Sequence, residues 1–151
     1  MGAAIIEERG RPMSMNCPYE DIDELPMILP VFPLTGAVLL PRGELPLNIF
    51  EPRYLAMVDD ALAGARLIGM IQPKQDMDGA NGLFSVGCVG RITRFAETGD
   101  GRYLITLSGV ARFDIGDEIA GDTLYRRFHV NYARFPADLN PGAGERSVDR
   151  D

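Results

Sequence analysis

Five prolines divide the stretch LPMILPVFPLTGAVLLPRGELPLNIF, residues 25–50, into short apolar runs. Proline has no backbone N–H, so it interrupts helices and cannot donate to the ladder of a central strand. We therefore predict extended segments that form edge strands, strand starts and bulges, rather than a helix or a central parallel strand. Segments of this kind suit a barrel or a strongly bent sheet.

The apolar period changes from two to about 3.6 at Glu51 and Pro52. Proline is favoured at the first helical position because its fixed φ suits a helix. Apolar residues then recur at helical spacing, at Leu55, Val58, Leu62 and Ala65. We predict a helix of about three turns with Glu51 at the capping position and Gly64 as its stop.

Four later segments are predicted to be strands. Residues 66–73 form a buried strand, and 86–97 pairs with 102–115 through the hairpin signal TGDG. The last candidate strand is 125–135, and the glycines at 87, 90 and 109 indicate bulges or close approaches. The sequence thus predicts a mainly β fold, a bent pseudo-barrel of six to seven strands with one packed helix.

The chain of 151 residues is long enough for one domain with its own core. Residues 1–24 are predicted to be a flexible acidic leader, 25–135 the β domain, and 136–151 a polar linker or tail. The two cysteines indicate no disulfide framework, and no apolar run has the length of a signal core or a membrane span. We expect a soluble cytoplasmic protein.

No pattern in the sequence indicates catalysis, a cofactor or a metal site. His129 is the only histidine, and Cys17 and Cys88 lack the paired spacing of zinc ligands. General acid–base chemistry at His129 would need a neighbouring partner that the sequence does not indicate. We expect no catalytic residue, no cofactor and no metal.

The stretch LPVFPLTGAVLLPRGELPLNIFEPRYLAMVDDAL, residues 29–62, carries a specific motif. Its residues are Pro33, Leu34, Pro41, Gly43, Pro46, Leu47, Phe50, Glu51, Pro52, Arg53 and Tyr54. This motif resembles the N-terminal substrate-recognition domain of Lon-type ATP-dependent proteases, and the likeness extends over about residues 25–135. The resemblance implies a barrel-like β fold, related to PUA-like RNA-binding domains, with one helix packed on it.

The resemblance also implies a non-catalytic module that binds unfolded or hydrophobic polypeptide segments. The chain contains neither a Gly-x-x-x-x-Gly-Lys-Ser/Thr phosphate loop nor a serine–lysine peptidase motif. An ATP-dependent protease and a second copy of the chain are the other partners considered. No contact with a membrane is expected.

Two sets of residues are candidates for a site. Pro46, Leu47, Phe50, Glu51, Pro52, Arg53 and Tyr54 are interpreted as structural, with Glu51 and Arg53 capping and bracing the turn into the helix. Met77, Leu83 and Phe84 are candidate polypeptide-binding residues, because an exposed apolar patch would suit unstructured chains. Core packing is the alternative for Leu83 and Phe84, and the edge from Leu29 to Leu34 is a second candidate surface.

An RNA-binding domain is the alternative function, and a remnant hydrolase is a third. The arginines that could line one face of the strands are at positions 91, 94, 102, 112, 126, 127 and 134. Acids interrupt this stripe, and the whole chain has a net charge of −7. Since nucleic-acid binding usually requires a basic footprint, nucleic acid is not the expected partner.

Overall fold

The computed structural model describes Tyr19 and residues 24–74 and 82–139. Its elements are β1 Ile28–Pro33, β2 Glu44–Ile49, α1 Pro52–Ala63, β3 Leu67–Ile71, β4 Val86–Glu97, β5 Tyr103–Glu118, β6 Arg126–Asn131 and a 3-10 helix Pro136–Leu139. The predicted mainly β fold with one packed helix is confirmed. Within this part of the chain, no helix has the length and apolar character needed to cross a membrane.

The strands form a closed barrel with one strand added outside it. β5, β4, β3, β1 and β6 are consecutive neighbours, and β6 pairs again with β5. β1 and β3 are parallel, and the other pairs are antiparallel. β5 has 16 residues, so it can pair with β2 along its first half and with β6 near its end.

One extra residue in β5 switches its buried side chains from one apolar core to the other. Val89 lies opposite Ala111 and Gly90 lies opposite Gly109, which leaves Val110 unmatched. A bulge of one residue inverts the alternation of side chains along the strand. Leu107 consequently enters a core between the sheet and α1, whereas Ala111 enters a second core inside the barrel.

The prediction that the proline-broken runs do not form a central parallel strand is wrong for β1, which lies between β3 and β6 and is parallel to β3. Pairing with β6 covers Ile28 to Val31, and pairing with β3 covers Val31 to Pro33. Each proline of the strand therefore lies where β1 has a paired neighbour on one side only, and its missing N–H need not break the ladder. The stretch from Leu29 to Leu34 is not an open edge.

The predicted helix is confirmed as α1, which begins at Pro52 and is followed by the cap residue Gly64. Its buried side chains are Met57, Val58 and Ala61, while Leu55 and Leu62 pack against the same core. Ala65 lies beyond the end of the helix and is exposed, so its assignment to the apolar face is wrong. The hydroxyls of Tyr103 and Tyr125 donate hydrogen bonds of 2.7 and 2.6 Å to Asp59 and Asp60, which fix α1 to the sheet.

The first residues of the predicted tail pack on the barrel through Asp138, which is buried in the 3-10 helix. Its carboxylate accepts hydrogen bonds from the backbone N, Nε and Nη2 of Arg112 at 2.9–3.0 Å. Burial raises the pKa of the Asp138 carboxyl, but the hydrogen bonds from Arg112 outweigh it and hold the pKa below its ordinary value. Arg42 donates to the Asp138 carbonyl oxygen at 2.8 Å, so the turn before β2 is tied to the same segment.

We expect Asp138→Asn to lower the free energy of unfolding at neutral pH by about 1–2 kcal/mol, because charged hydrogen bonds are lost. The depressed pKa of Asp138 means that this stabilisation is present above the ordinary value of 3.8 and is lost as the pH falls through the lower folded value. Urea unfolding at several pH values should show the difference between variant and wild type shrinking below about pH 4. The exposed Asp122→Asn is the control, and a difference that stays constant with pH would contradict the assignment.

Candidate functional site

An apolar groove lies between the segment before β2 and the start of β4. Its volume is about 370 Å³. The exposed side chains at its rim are Val38, Leu40, Phe84 and Val86. Met70, Ile71 and Cys88 form its apolar floor, and the polar side chains in its lining are Gln72, Ser85 and Arg112.

One wall of the groove is the loop segment before β2, which packs closely on two glycines of the sheet. Leu39 is buried and packs over Gly90, where an added Cβ would lie 2.7 Å from the leucine Cδ2. Val38 and Leu40, on either side of this anchor, are each 61% exposed. Leu40 is the first residue of a turn closed by a hydrogen bond from Gly43 N, and its carbonyl lies against Gly109. The close packing at the glycines therefore leaves two apolar side chains on the surface.

The opposite wall carries Phe84, which is 48% exposed. The Phe84 N–H donates to Gln72 O at 3.0 Å, and a bridge between Pro73 and Leu83 precedes it. Of the two predicted contact residues that the structure describes, Phe84 lines the groove and Leu83 does not. Leu83 is buried in the barrel core, which excludes it from a surface patch, and Met77 lies outside the described residues.

The floor of the groove is chemically inert. Burial raises the pKa of the Cys88 thiol to about 12, so the sulfur stays protonated at neutral pH. Arg112 forms its ion pair with Asp138 at 2.9 Å, which neutralises the one cationic side chain among the described residues of the lining. Among the described residues of the lining, no acid, base or ionised thiol converges, and the side chains offer mainly apolar contact.

The predicted motif is assembled at the junction of β2 and α1. The rings of Tyr54 and Phe32 pack at a tilt with their centroids 4.3 Å apart, and Arg53 pairs with Glu51 at 3.2 Å. Glu51 occupies the capping position, but its side chain makes no capping hydrogen bond, so the capping part of that interpretation is wrong. Both partners of the ion pair are about half exposed, and such pairs contribute little stability.

Most of the seven arginines considered as a basic stripe are neutralised by acids. Four of them are paired with carboxylates at 2.6–2.9 Å: Arg102 with Asp100, Arg112 with Asp138, Arg126 with Glu118 and Arg134 with Asp114. These pairs cancel the charge that phosphate contacts would need. His129 is exposed on β6, and the described residues contain no cluster of potential metal ligands.

The rim residues Val38, Leu40 and Val86 were not predicted. The run AVLLP is predicted only as part of a proline-broken extended segment, because its neighbours in sequence do not show that Leu39 alone is buried there. The useful signal was the pair of flanking turn residues, Gly36 and Pro41, which mark the run as a loop.

Comparisons with known proteins agree on one family. A family profile described as the ATP-dependent protease La (LON) substrate-binding domain matches residues 28–148. The Lon protease of Anaeromyxobacter dehalogenans is 32% identical over 117 residues, and Lon protease 2 of Sorangium cellulosum is 34% identical over 110 residues. These matches cover 76% and 70% of this chain, but the chain spans only 13% of each relative.

Solved structures show the same likeness. The crystal structure of a Lon N-terminal domain protein from Xanthomonas campestris has a TM-score of 0.57 at 30% identity, covering 70% of this chain and 59% of that one. The N-terminal domain of a Mycobacterium avium complex Lon protease has a TM-score of 0.54 at 20% identity, covering 70% and 54%. The second match supports the fold alone.

Proposed function

The chain belongs to the family of LON substrate-binding domains, and from this we propose that it is a non-catalytic module that captures exposed apolar segments of polypeptides in the groove. The observation that carries the proposal is the rim formed by Val38, Leu40, Phe84 and Val86. Apolar side chains that stay exposed together on a folded domain commonly mark a surface for a partner.

The chemistry of the groove favours a polypeptide over a charged ligand. Its side chains offer apolar contact, and Arg112, the cation that the structure describes in the lining, is already paired with Asp138. The protonated thiol of Cys88 adds no nucleophile. Binding by this surface therefore depends on burying apolar area, which supports capture of hydrophobic segments without chemical change.

The wider setting is part of the same proposal. We place the module in the cytoplasm, where captured segments would be passed to an ATP-dependent protease. The family relationship supports this setting. Delivery would be tested by measuring degradation of a bound client by a purified Lon protease with and without this chain.

We expect Leu40→Asp to weaken binding of an unfolded model protein, reduced and carboxymethylated lactalbumin, by about tenfold or more. Burying a leucine side chain contributes about 1.5–3 kcal/mol, and 1.4 kcal/mol is a tenfold change in affinity. Fluorescence anisotropy at low and high salt measures the effect. Apolar capture should survive added salt, whereas binding of an RNA oligonucleotide would weaken steeply.

Leu124→Asp is the matched control, because it makes the same chemical change at a leucine that is 65% exposed and lies outside the groove. Its affinity should equal that of wild type. Equal losses in both variants, or no loss in Leu40→Asp, would contradict the placement of the site in the groove. Absence of binding by the wild-type chain would remove the proposed function itself.

A further inference from the structure

Each rim of the apolar groove presents two apolar side chains that are two residues apart. Val38 and Leu40 stand on either side of the buried Leu39, and Phe84 and Val86 form the opposite rim. Alternate residues of an extended chain direct their side chains to one face, about 6.6 Å apart. A ligand segment in the extended conformation repeats at the same distance, so its alternate side chains can contact both rims together.

Lys74 lies on the face of the sheet that carries the groove. Gln72 is opposite Phe84, since the Phe84 N–H donates to Gln72 O at 3.0 Å next to an antiparallel bridge. Both side chains line the groove. Lys74 follows Gln72 by two residues in this extended pairing, so its side chain is on the same side. Its Nζ lies 6.0 Å from the centroid of the Phe84 ring, which places a cation beside the rim.

The charged side chains of β5 that lie opposite the groove residues of β4 are already compensated. Arg112 is paired with Asp138 at 2.9 Å. Asp114 is paired with Arg134 at 2.6 Å. In the described part of the chain, Lys74 forms no ion pair. A ligand with a negative charge next to its apolar side chains would therefore complement the groove at the Lys74 end.

We propose that the groove selects extended polypeptide segments in which apolar and polar side chains alternate and an acidic residue follows at one end. This inference rests on the proposed function and names the class of segment that the groove takes. The alternate apolar side chains contact the two rims, and the carboxylate pairs with Lys74. A segment whose apolar residues are three apart would direct successive ones to opposite sides when extended, so it would bury fewer of them.

Three peptides test this selectivity. The probe is acetyl-Asp-Ser-Leu-Ser-Phe-Ser-Leu-Ser-Asp-amide, in which either chain direction brings one aspartate to Lys74. The neutral peptide has asparagine in place of both aspartates. The respaced peptide, acetyl-Asp-Leu-Ser-Ser-Phe-Ser-Ser-Leu-Asp-amide, has the composition of the probe with its apolar residues three apart. Each peptide competes with fluorescent unfolded lactalbumin for the chain, so displacement reports on the same surface.

We expect the probe to bind about threefold tighter than the neutral peptide, because an ion pair at an exposed site contributes modestly. It should bind about tenfold tighter than the respaced peptide, which leaves a large apolar side chain in water. Added salt should reduce the preference for aspartate and leave the affinity of the neutral peptide unchanged.

Lys74→Gln should abolish the preference for aspartate over asparagine. Lys74→Glu should favour a version of the probe with lysine at both ends. Arg94→Gln is the matched control, because Arg94 is an exposed cation outside the groove that forms no ion pair among the described residues. This control should keep the preference of the wild type.

Lactalbumin binding separates this inference from the proposed function. If lactalbumin binds and Leu40→Asp weakens its binding, the groove captures polypeptides whatever the peptides do. Equal affinities of the probe and the neutral peptide, or a preference for aspartate that persists in Lys74→Gln, would then overturn the role of Lys74. Respaced peptide binding as tightly as the probe, or no displacement by up to about 1 mM probe, would overturn the extended-segment class.

Discussion

Phe113→Ala is expected to lower the free energy of unfolding by about 3–5 kcal/mol, the usual cost of truncating a fully buried phenylalanine. Phe113 is completely buried in the barrel core. Two glycines make room for its ring: an added Cβ would lie 2.6 Å from the ring Cζ at Gly87 and 3.1 Å from it at Gly69. Chemical denaturation with urea measures the change.

Phe50→Ala is the control for Phe113→Ala, since Phe50 is 61% exposed and its loss should cost less than about 1 kcal/mol. A second comparison tests the fit between ring and glycine. Gly69→Ala should destabilise the wild-type chain, because two of its three nearest contacts are Phe113 ring atoms, and should cost at least about 1 kcal/mol less in a Phe113→Leu background. An equal cost in both backgrounds would contradict this account of the core.

The elements that the sequence predicted well are those specified by residues close together in the chain. Pro52 begins α1 and Gly64 follows its end. The TGDG hairpin forms between β4 and β5, where Thr98 N donates to Arg102 O at 2.9 Å. Each of these features is set by local backbone preference, which is visible without knowledge of the fold.

The features that could not be predicted depend on partners distant in sequence. The glycines at 87, 90 and 109 were expected to mark bulges or close approaches, and each is confirmed as a close approach. Their partners, Phe113, Leu39 and Leu40, could not be named from spacing. The position of β1 inside the barrel likewise depends on a change of neighbour at Val31, for which the run of prolines gives no signal.

The residues of the candidate site also depend on partners that are distant in sequence. Leu83 and Phe84 are adjacent and both apolar, yet one is buried in the barrel core and the other lies at the rim of the groove. Val38 and Leu40 belong to the rim only because Leu39 is anchored over Gly90. Composition identifies such residues as apolar, but the exposure of each side chain depends on which of them packs into the core.

The turn before β2 is held by contacts of the fold and positions one residue of the groove rim. Pro41 and Arg42 are its central residues, and Arg42 has a φ of 67°, a conformation that favours glycine. The hydrogen bond from Arg42 Nη1 to Asp138 O, at 2.8 Å, offsets part of that strain. Arg42 and Gly43 together oppose Gly109, since Arg42 N donates to Gly109 O and Gly109 N donates to Gly43 O. The position of the rim residue Leu40 therefore depends on the bulge at Arg42 and Gly43, which is hydrogen-bonded to Gly109 of β5.

Gly109→Ala is expected to lower the free energy of unfolding by about 3 kcal/mol, the upper end of the usual cost of overpacking. An added Cβ at Gly109 would lie only 2.0 Å from the carbonyl oxygen of Leu40. That oxygen belongs to the backbone and already accepts the turn hydrogen bond from Gly43, so it cannot move without opening the turn. Urea unfolding measures the loss, and binding of unfolded lactalbumin measures the accompanying damage to the groove.

Gly99→Ala separates this clash from a general effect of replacing glycine in β4–β5. An added Cβ at Gly99 meets no atom within 4 Å, so alanine there should be neutral or stabilising by up to about 1 kcal/mol. If Gly109→Ala were as stable as Gly99→Ala, the turn could shift freely, and the positions of Val38 and Leu40 would not be fixed by it. A large loss at Gly109 alone, with weaker lactalbumin binding by the surviving folded chain, would show that the same close contact supports both stability and the shape of the groove.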